Sequence, residues 1–582
     1  MSLFGRKKLH MMGVRNHALE QARGRIVLMS VVFVCAYLII IARSIDVMAL
    51  QGTLYNHDEA QYFQQEIQKN EEMRRADIID RNGVLLARSL RTASLHADPK
   101  MVKEPEDLAQ SLHTIFPQVQ YGTILQKLQS KKRFVWVKRN ITPEEQSQIL
   151  KLGSPALNFK YEDRRLYPQG EQAIHMVGYS GIDGQGLSGV EASFNDFLGN
   201  SDKPLALTLD IRLQHALKRE IQNSIETFSA KGGAGVIMNV NDGSVLAAVS
   251  LPDFDPQDYK NAKADEKFNR TTLGVYELGS VFKIFSTAAL LEITSASMGK
   301  AFDAREPIKV GRFQIRDYHA EKRIMSLPEV FMHSSNIGSA LMGEEVGNEP
   351  LKKFYADLGL LHKANFEIKE IGSPLVPDPW GDVHTLTASY GHGIAVSPLQ
   401  MTSAVASIVN GGYFVEPTLI LNKAQKDTNK TKEKTNLRIV SPEVSHRMRQ
   451  LLRLVVTNGT GSSADVEGYL VGGKTGTAEK PGAGGYDRKR LISSFIGVFP
   501  MNEPQYAIYV MIDEPQGTKE SYGYATGGWV AAPVVKKVVQ SMASVLNISP
   551  QEKEQGIESS LLRYVKTKEE IEQEKEQTLA AF

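Results

Sequence analysis

The sequence predicts a membrane-anchored, multidomain α+β / α/β protein with a single N-terminal transmembrane helix. A β-rich middle segment and a larger domain of alternating strands and helices follow it. Three observations carry this. The chain has 582 residues, too many for one ordinary core, so two or more domains are expected. Ile26 to Ala42 is an uncharged apolar run, close to the length a helix needs to cross bilayer hydrocarbon. Downstream, strand-like runs broken by Asn-Gly and Asp-Gly give way to mixed helical and strand-like segments.

The formal net charge is only +2, and no basic run forms a groove-like cluster, which argues against nucleic acid as a partner. Cys35 is the single cysteine, so no intramolecular disulfide is possible, and the Cys/His spacings of a structural zinc site are missing.

Arg6, Lys7, Lys8, Arg15, Arg23 and Arg25 precede the apolar run, opposed only by Glu20. That asymmetry predicts a cytoplasmic N-terminus with the rest exported. The rival reading is a cleaved signal with Val47-Met48-Ala49 as a weak cleavage site. The apolar run exceeds a usual signal core, which favours an anchor.

Leu50 to Met73 is polar and Gln-rich, a helix or linker. ADIIDRNGVLLARS, from Ala76, carries a hairpin signal at Asn82-Gly83. Leu205 to Asp210 predicts a strand, followed by a helix from Ile211 to about Thr227. From Gly233, two apolar runs joined by Asn241-Asp242-Gly243 predict a second hairpin. Helical and strand-like segments then alternate to about Leu546. From Ser549 the chain is rich in Glu, Lys and Gln, which predicts a solvated helix or a disordered tail.

Three motifs carry chemistry. Ser280-Val281-Phe282-Lys283 precedes the apolar run IFSTAALLEI, so Ser280 is expected at or near a helix N-terminus with Lys283 on the same face. Serine is a weak nucleophile without a base, and lysine serves as one only where burial lowers its pKa. The helix end also offers N–H groups to an oxyanion. Alone the tetrad is weak evidence, since about two chance matches are expected in a chain this long. A second match, Ser297-Met298-Gly299-Lys300, is present. Ser334-Ser335-Asn336 lies between helical segments and by itself reads as a helix N-cap. Lys474-Thr475-Gly476-Thr477 offers a cation, two hydroxyls and a glycine that lets backbone approach a ligand; its bland alternative is a surface turn. The three in this order are what β-lactam-recognising serine enzymes require.

With the trio in place, residues from about Gly233 to Leu546 resemble the transpeptidase domain of penicillin-binding proteins. SYGHGIAVSPLQM, GTG (Gly459 to Gly461), SSFIGVFP and GGWVAAPV are each similar to a family segment. Upstream, IIDRNGVLLARS, RRLYPQGEQAIHMVGY and GLSGVE resemble the pedestal of class B members. Thr477-Ala478-Glu479-Lys480 and SSFIGVFP look most similar to the cell-division type, the FtsI or penicillin-binding protein 3 type. Leu278 and His392 stand where the family often has Pro and Tyr. His392 and His333 are read as packing residues rather than bases.

The resemblance implies an antiparallel sheet flanked by helices, serine β-lactamase-like, on a dimerisation-type pedestal. It implies a basic cytoplasmic segment at 1–25, an anchor at 26–43, a periplasmic pedestal at 44–230, a transpeptidase domain at 231–546 and a charged tail at 547–582. It further implies that Ser280 attacks the carbonyl between the last two D-alanines of a stem pentapeptide, with Lys283 as base. Ser334 relays a proton, Asn336 orients Lys283 and the substrate amide, and Lys474, expected to stay charged, supports Ser334. Thr475, Gly476 and Thr477 bind substrate, and the N–H groups of Ser280 and Thr477 form the oxyanion hole. A side-chain amine of a second stem completes the cross-link, and no metal or organic cofactor is needed. Implied partners are lipid-linked nascent strands, β-lactams, a membrane polymerase of the FtsW type and other division proteins. The competing readings are an elongation-type transpeptidase, a hydrolytic carboxypeptidase or β-lactamase, and a scaffold whose site has decayed. A sensor would be expected to carry more membrane helices, and a bifunctional class A protein would need a glycosyltransferase domain for which there is no room.

Overall fold

The computed structural model describes residues 6–46, 74–311, 313–421, 437–482, 485–551, 556–567 and 569–573. Leu50 to Met73 and the candidate cleavage site Val47-Met48-Ala49 lie outside them. The chain divides into two units, Met1–Arg74 and Arg75–Phe582.

In the first unit a 40-residue helix, α1 (Arg6–Ile45), runs back from the apolar stretch through the basic segment. Within it, Gln21–Ile45 is long and apolar enough to cross a membrane, and none of its most apolar window is buried in protein.

The second unit holds two five-stranded sheets. In the first, β1 (Ile78–Ile79), β2 (Leu85–Ala97) and β3 (Val135–Ile141) lie side by side, with β4 (Leu157–Leu166) also on β2 and β5 (Leu205–Ala206) on β1. The Asn82-Gly83 turn closes β1 onto β2 as its sequence predicts. Asp80 accepts from the amides of Asn82 and Val84, and Gly83 supplies the positive φ the turn needs. β5 is shorter than the strand expected over Leu205 to Asp210, because Asp210 caps the next helix, α2 (Ile211–Thr227), through the amide of Arg212.

The segments that resemble a pedestal converge on one carboxylate. Buried Glu191 receives Arg75 Nε at 2.5 Å and Arg165 Nε at 2.7 Å. Two cations thereby neutralise a side chain that could not be buried alone.

The second sheet is antiparallel throughout, in the order β12–β13–β14–β6–β7. β6 (Gly232–Asn239) and β7 (Val245–Leu251) form the hairpin predicted at Asn241-Asp242-Gly243. Two small pairs follow, β8 (Ala301–Asp303) with β11 (Ile324–Ser326), and β9 (Ile308–Val310) with β10 (Phe313–Ile315). β12 (Gly472–Gly482), β13 (Gly485–Phe499) and β14 (Tyr506–Asp513) complete the sheet, with β12 at its edge.

Strand alternation makes this a three-layer unit. Ile508, Val510 and Ile512 of β14 pack with Leu213, Leu217 and Ile221 of α2 and with helix Gly527–Val545. Ala507, Tyr509 and Met511 face the other core, with Ile284 and Phe285 of α3 (Lys283–Thr294). All of α3 from Lys283 to Leu291 is buried, so the Ser280-to-Lys283 motif stands on an element enclosed by the core.

The expected solvated tail is corrected over 556–566. Leu561 is buried in the main core, Ser326 Oγ donates to Tyr564 O at 2.6 Å, and Lys566 N donates to Glu329 Oε1 at 3.0 Å. A few well-spaced apolar residues, Ile557, Leu561, Tyr564 and Val565, suffice to dock this charged stretch.

Candidate active site

The three motifs meet where α3 begins beside the free edge of β12. Gly279–Phe282 form one 3-10 turn that runs directly into α3, placing Ser280 at the helix entrance as expected. Gly279 has φ +55°, and a Cβ there would lie 2.7 Å from Thr477 O. A Cβ on Gly476 would lie 2.7 Å from Leu278 O. The Ser280 turn and β12 touch backbone to backbone, an approach only glycine permits.

Ser334-Ser335-Asn336 connects α4 (Leu327–Met332) to α5 (Asn336–Val346). Ser335 caps α5 by accepting from the Gly338 amide. Ser334 is held at φ +59°, a left-handed conformation costing a non-glycine about 1–2 kcal/mol. That conformation accompanies the presentation of both Ser334 oxygens to Lys283. Lys283 Nζ lies 2.5 Å from Ser334 O, 2.7 Å from Asn336 Oδ1 and 3.1 Å from Ser334 Oγ. Lys474 Nζ donates to the same Ser334 hydroxyl at 2.8 Å. One hydroxyl thus bridges two fully buried amines.

Burial pushes Lys283 well below the ordinary lysine range, and the Lys474 charge lowers it further; Asp317 pulls the other way. Burial alone lowers Lys474 to about 7. The expectation that Lys474 stays charged is therefore restricted: its charge weakens above about pH 7. A neutral Lys283 has two N–H groups for its two carbonyl-type acceptors, leaving its lone pair to the Ser334 hydroxyl. Among the described residues its hydrogen bonds go to Ser334 and Asn336 rather than to Ser280, whose hydroxyl makes none.

Thr475 is almost buried, and its hydroxyl lies 2.8 Å from that of Thr460 in the GTG segment. The Thr477 hydroxyl accepts from the amide of Gly527, where the GGWVAAPV helix begins. The structure thus brings Ser280, Lys283, Ser334, Asn336, Lys474, Thr475, Gly476 and Thr477 to one place. Ser297 and Lys300 stand apart: Lys300 pairs with Glu345 at the surface. His392 packs against Tyr390 and Tyr486, and burial, then the Lys283 charge, lowers it to about 4. His333 lies 3.7 Å from Glu321, and burial lowers its pKa.

Asp317 was not singled out by any motif. It accepts from Ser335 Oγ and from the amides of Asn336 and Ile337, at 2.8, 2.5 and 3.0 Å. It caps α5 from a loop nearly twenty residues away, and no spacing in the sequence signals that. Arg316 O receives Asn336 Nδ2 at 2.8 Å, which fixes the amide with its oxygen toward Lys283.

Comparison with known proteins agrees with this arrangement. Residues 233–540 match the family model described as the penicillin binding protein transpeptidase domain, and residues 70–201 match the penicillin-binding protein dimerisation domain. The chain is 37% identical over 487 residues to a probable peptidoglycan D,D-transpeptidase FtsI of Caulobacter vibrioides, covering 81% of this chain and 82% of that protein. It is 29% identical over 512 residues to peptidoglycan D,D-transpeptidase FtsI of Escherichia coli K12, covering 82% and 84%. It is 30% identical over 520 residues to stage V sporulation protein D of Bacillus subtilis, covering 82% and 79%. The crystal structure of penicillin binding protein 3 from a Mycobacterium, complexed with aztreonam, superposes with a TM-score of 0.64 at 23% identity. That match covers 83% of this chain and 98% of the other, and it establishes a shared fold.

Proposed function

Since the chain belongs to the penicillin-binding protein transpeptidase family, we propose that Ser280 is the residue that becomes acylated and that the buried groups around it move the protons. The protein is a class B, FtsI-type peptidoglycan D,D-transpeptidase, with stem peptides and β-lactams as its ligands. The observation supporting the residue assignment is the Ser334 hydroxyl held between two buried lysine amines.

In the proposed cycle Ser280 Oγ attacks the carbonyl between the terminal D-alanines as its proton passes to neutral Lys283. The amides of Ser280 and Thr477 receive the developing oxyanion. The C–N bond then breaks, and the proton returns through Ser334 to the leaving amine. Thr475 and Thr477 hydroxyls, with Lys474, hold the substrate carboxylate. A side-chain amine from a second stem displaces Ser280, gives up its proton to the same relay, and leaves the cross-link. Residues 44–230 are assigned to the pedestal and 231–546 to the transpeptidase domain.

Intact-mass measurement after incubation with a labelled penicillin tests the assignment. One adduct is expected, on the peptide containing Ser280, and Ser280→Ala should abolish it. A label on Ser297 would overturn it. The anchor is assigned an N-in orientation from its basic flank. A membrane polymerase of the FtsW type and other division proteins are the proposed partners, and co-purification from cross-linked membranes tests that. A reporter active only outside the cytoplasm, fused after Asp46, should give signal; an inactive fusion would reverse the orientation.

A further inference from the structure

Glu277 is a half-buried carboxylate three residues before Ser280. Tyr486 Oη donates to both of its oxygens, at 3.0 Å each, and the Gly393 amide donates to Oε1 at 3.2 Å. The loop bearing Gly393 rests on the nucleophile turn, since a Cβ on Gly391 would lie 2.1 Å from Gly279 O. Tyr486 comes from the far end of the β12–β13 hairpin, opposite Pro481. Carboxylate, turn and hairpin end thus meet in one wall beside Ser280.

Among the described residues no ion pair reaches Glu277. Burial pushes Glu277 above the usual carboxylate range, and the only influences opposing this are Tyr486 and Gly393, not a cation. On the same hairpin, Lys480 pairs with Asp513 and Glu514, and Arg490 with Glu514. His392 is neutral at physiological pH. The rings of Tyr390 and Tyr486 each lie 5.1 Å from that of His392. A carboxylate with hydrogen-bond donors, no counter-charge and aromatic rings beside it is complementary to an ammonium group, through charge pairing and cation–π attraction.

We propose that Glu277, with Tyr486 and the neighbouring aromatic rings, binds a primary ammonium on the side chain of a stem peptide's diamino residue. The inference rests on the transpeptidase reading above. Cross-linking through a side-chain amine requires each stem to carry one, so donor and acceptor stems present the same chemistry. The direction of β12 favours the donor. With the leaving alanine's carboxylate at Thr475 and Thr477, the retained part of the donor runs along the strand toward Pro481 and Tyr486.

A purely structural carboxylate, tying three loops together, predicts something different. Glutamine at 277 keeps an acceptor oxygen for Tyr486 and Gly393 but removes the charge. The test uses full-length protein in detergent and two soluble donors ending in D-Ala-D-Ala, one with a free lysine at the preceding position and one with Nε-acetyl-lysine. The readout is the ratio of kcat/KM for the free over the acetylated donor. Wild type should prefer the free amine by about tenfold or more, the strength of a charged hydrogen bond, and Glu277→Gln should bring the ratio toward one. If instead the ratio holds but the partition between transfer to an added amine and hydrolysis falls, the ammonium bound is the acceptor's. If neither moves, the site is overturned. The wild-type preference should also shrink as salt is raised, so a wild type with no preference overturns it even where the variant does not fold. Penicillin labelling of Ser280 in the same samples separates this failure from failure of the transpeptidase assignment.

Discussion

Lys474→Arg should remove the alkaline limb from the pH profile of penicillin acylation. Lys474 is fully buried, and that burial lowers it to about 7. Its amine donates to Ser334 Oγ at 2.8 Å. Lys283, lowered by burial and by the Lys474 charge, loses its proton first as pH rises. In the proposed cycle the reactive form carries a neutral Lys283 and a charged Lys474, so the window opens when Lys283 deprotonates and closes when Lys474 does. The second-order acylation rate reports the free protein's groups. Two pH units above 7, about 1% of Lys474 remains protonated, which lowers the rate about 100-fold, or about 2.7 kcal/mol. A guanidinium keeps its charge throughout this range, so the variant's rate should stay level where the wild type falls. Its plateau should be lower by about 10- to 100-fold, because a larger planar head overpacks a fully enclosed site by about 1–3 kcal/mol. The assay is acylation by one fluorescent penicillin from about pH 5 to about pH 10. An alkaline limb surviving unmoved in the variant, or a wild type as fast at high pH as at neutrality, would refute the division of labour between the two lysines.

Lys283→Arg should lower the acylation rate by about a thousandfold or more, since the base can no longer give up its proton; a rate equal to that of Lys474→Arg would show that Lys283 is not the base. Gly279→Ala should also depress acylation, by about 100-fold, because its Cβ would meet Thr477 O at 2.7 Å and its φ is +55°. Retained thermal stability with lost acylation would locate the damage at the Ser280–Thr477 approach, whereas unchanged acylation would show that approach to be dispensable.

The parts of the site legible in the sequence are those whose geometry is local. Ser280 and Lys283 lie one helical turn apart, and Lys474 to Thr477 occupy a single strand. Helix Ile211–Thr227 and the two glycine hairpins were legible for the same reason, since capping and turn residues sit beside what they fix. Tertiary contributions were not legible. Asp317 reaches α5 from a distant loop, and Arg75 meets Glu191 across more than a hundred residues. By composition the tail reads as solvated, yet Leu561 is buried, Ile557, Tyr564 and Val565 pack against the core, and the flanking backbone finds hydrogen bonds. The lowering of Lys474 depends on complete burial, and an edge strand rich in glycine and threonine gives no sign of it.

The two lysines are buried alike but satisfied differently, and in the proposed cycle that difference couples substrate binding to the base. Lys283 has two carbonyl-type acceptors at 2.5 and 2.7 Å, enough for both hydrogens of a neutral amine. Lys474 has the Ser334 hydroxyl at 2.8 Å and only a long contact, 3.4 Å, to Thr475 O. An ammonium in that position lacks a full set of acceptors, which is why burial alone lowers it so far. A substrate carboxylate docked on the Thr475 and Thr477 hydroxyls would supply the missing acceptor and raise Lys474 again. The Lys474 charge is one of the causes that lower Lys283, so a proton secured on Lys474 keeps Lys283 neutral. Carboxylate binding then favours the protonation state that attack requires, and a substrate without a free carboxylate would forfeit reactivity as well as affinity.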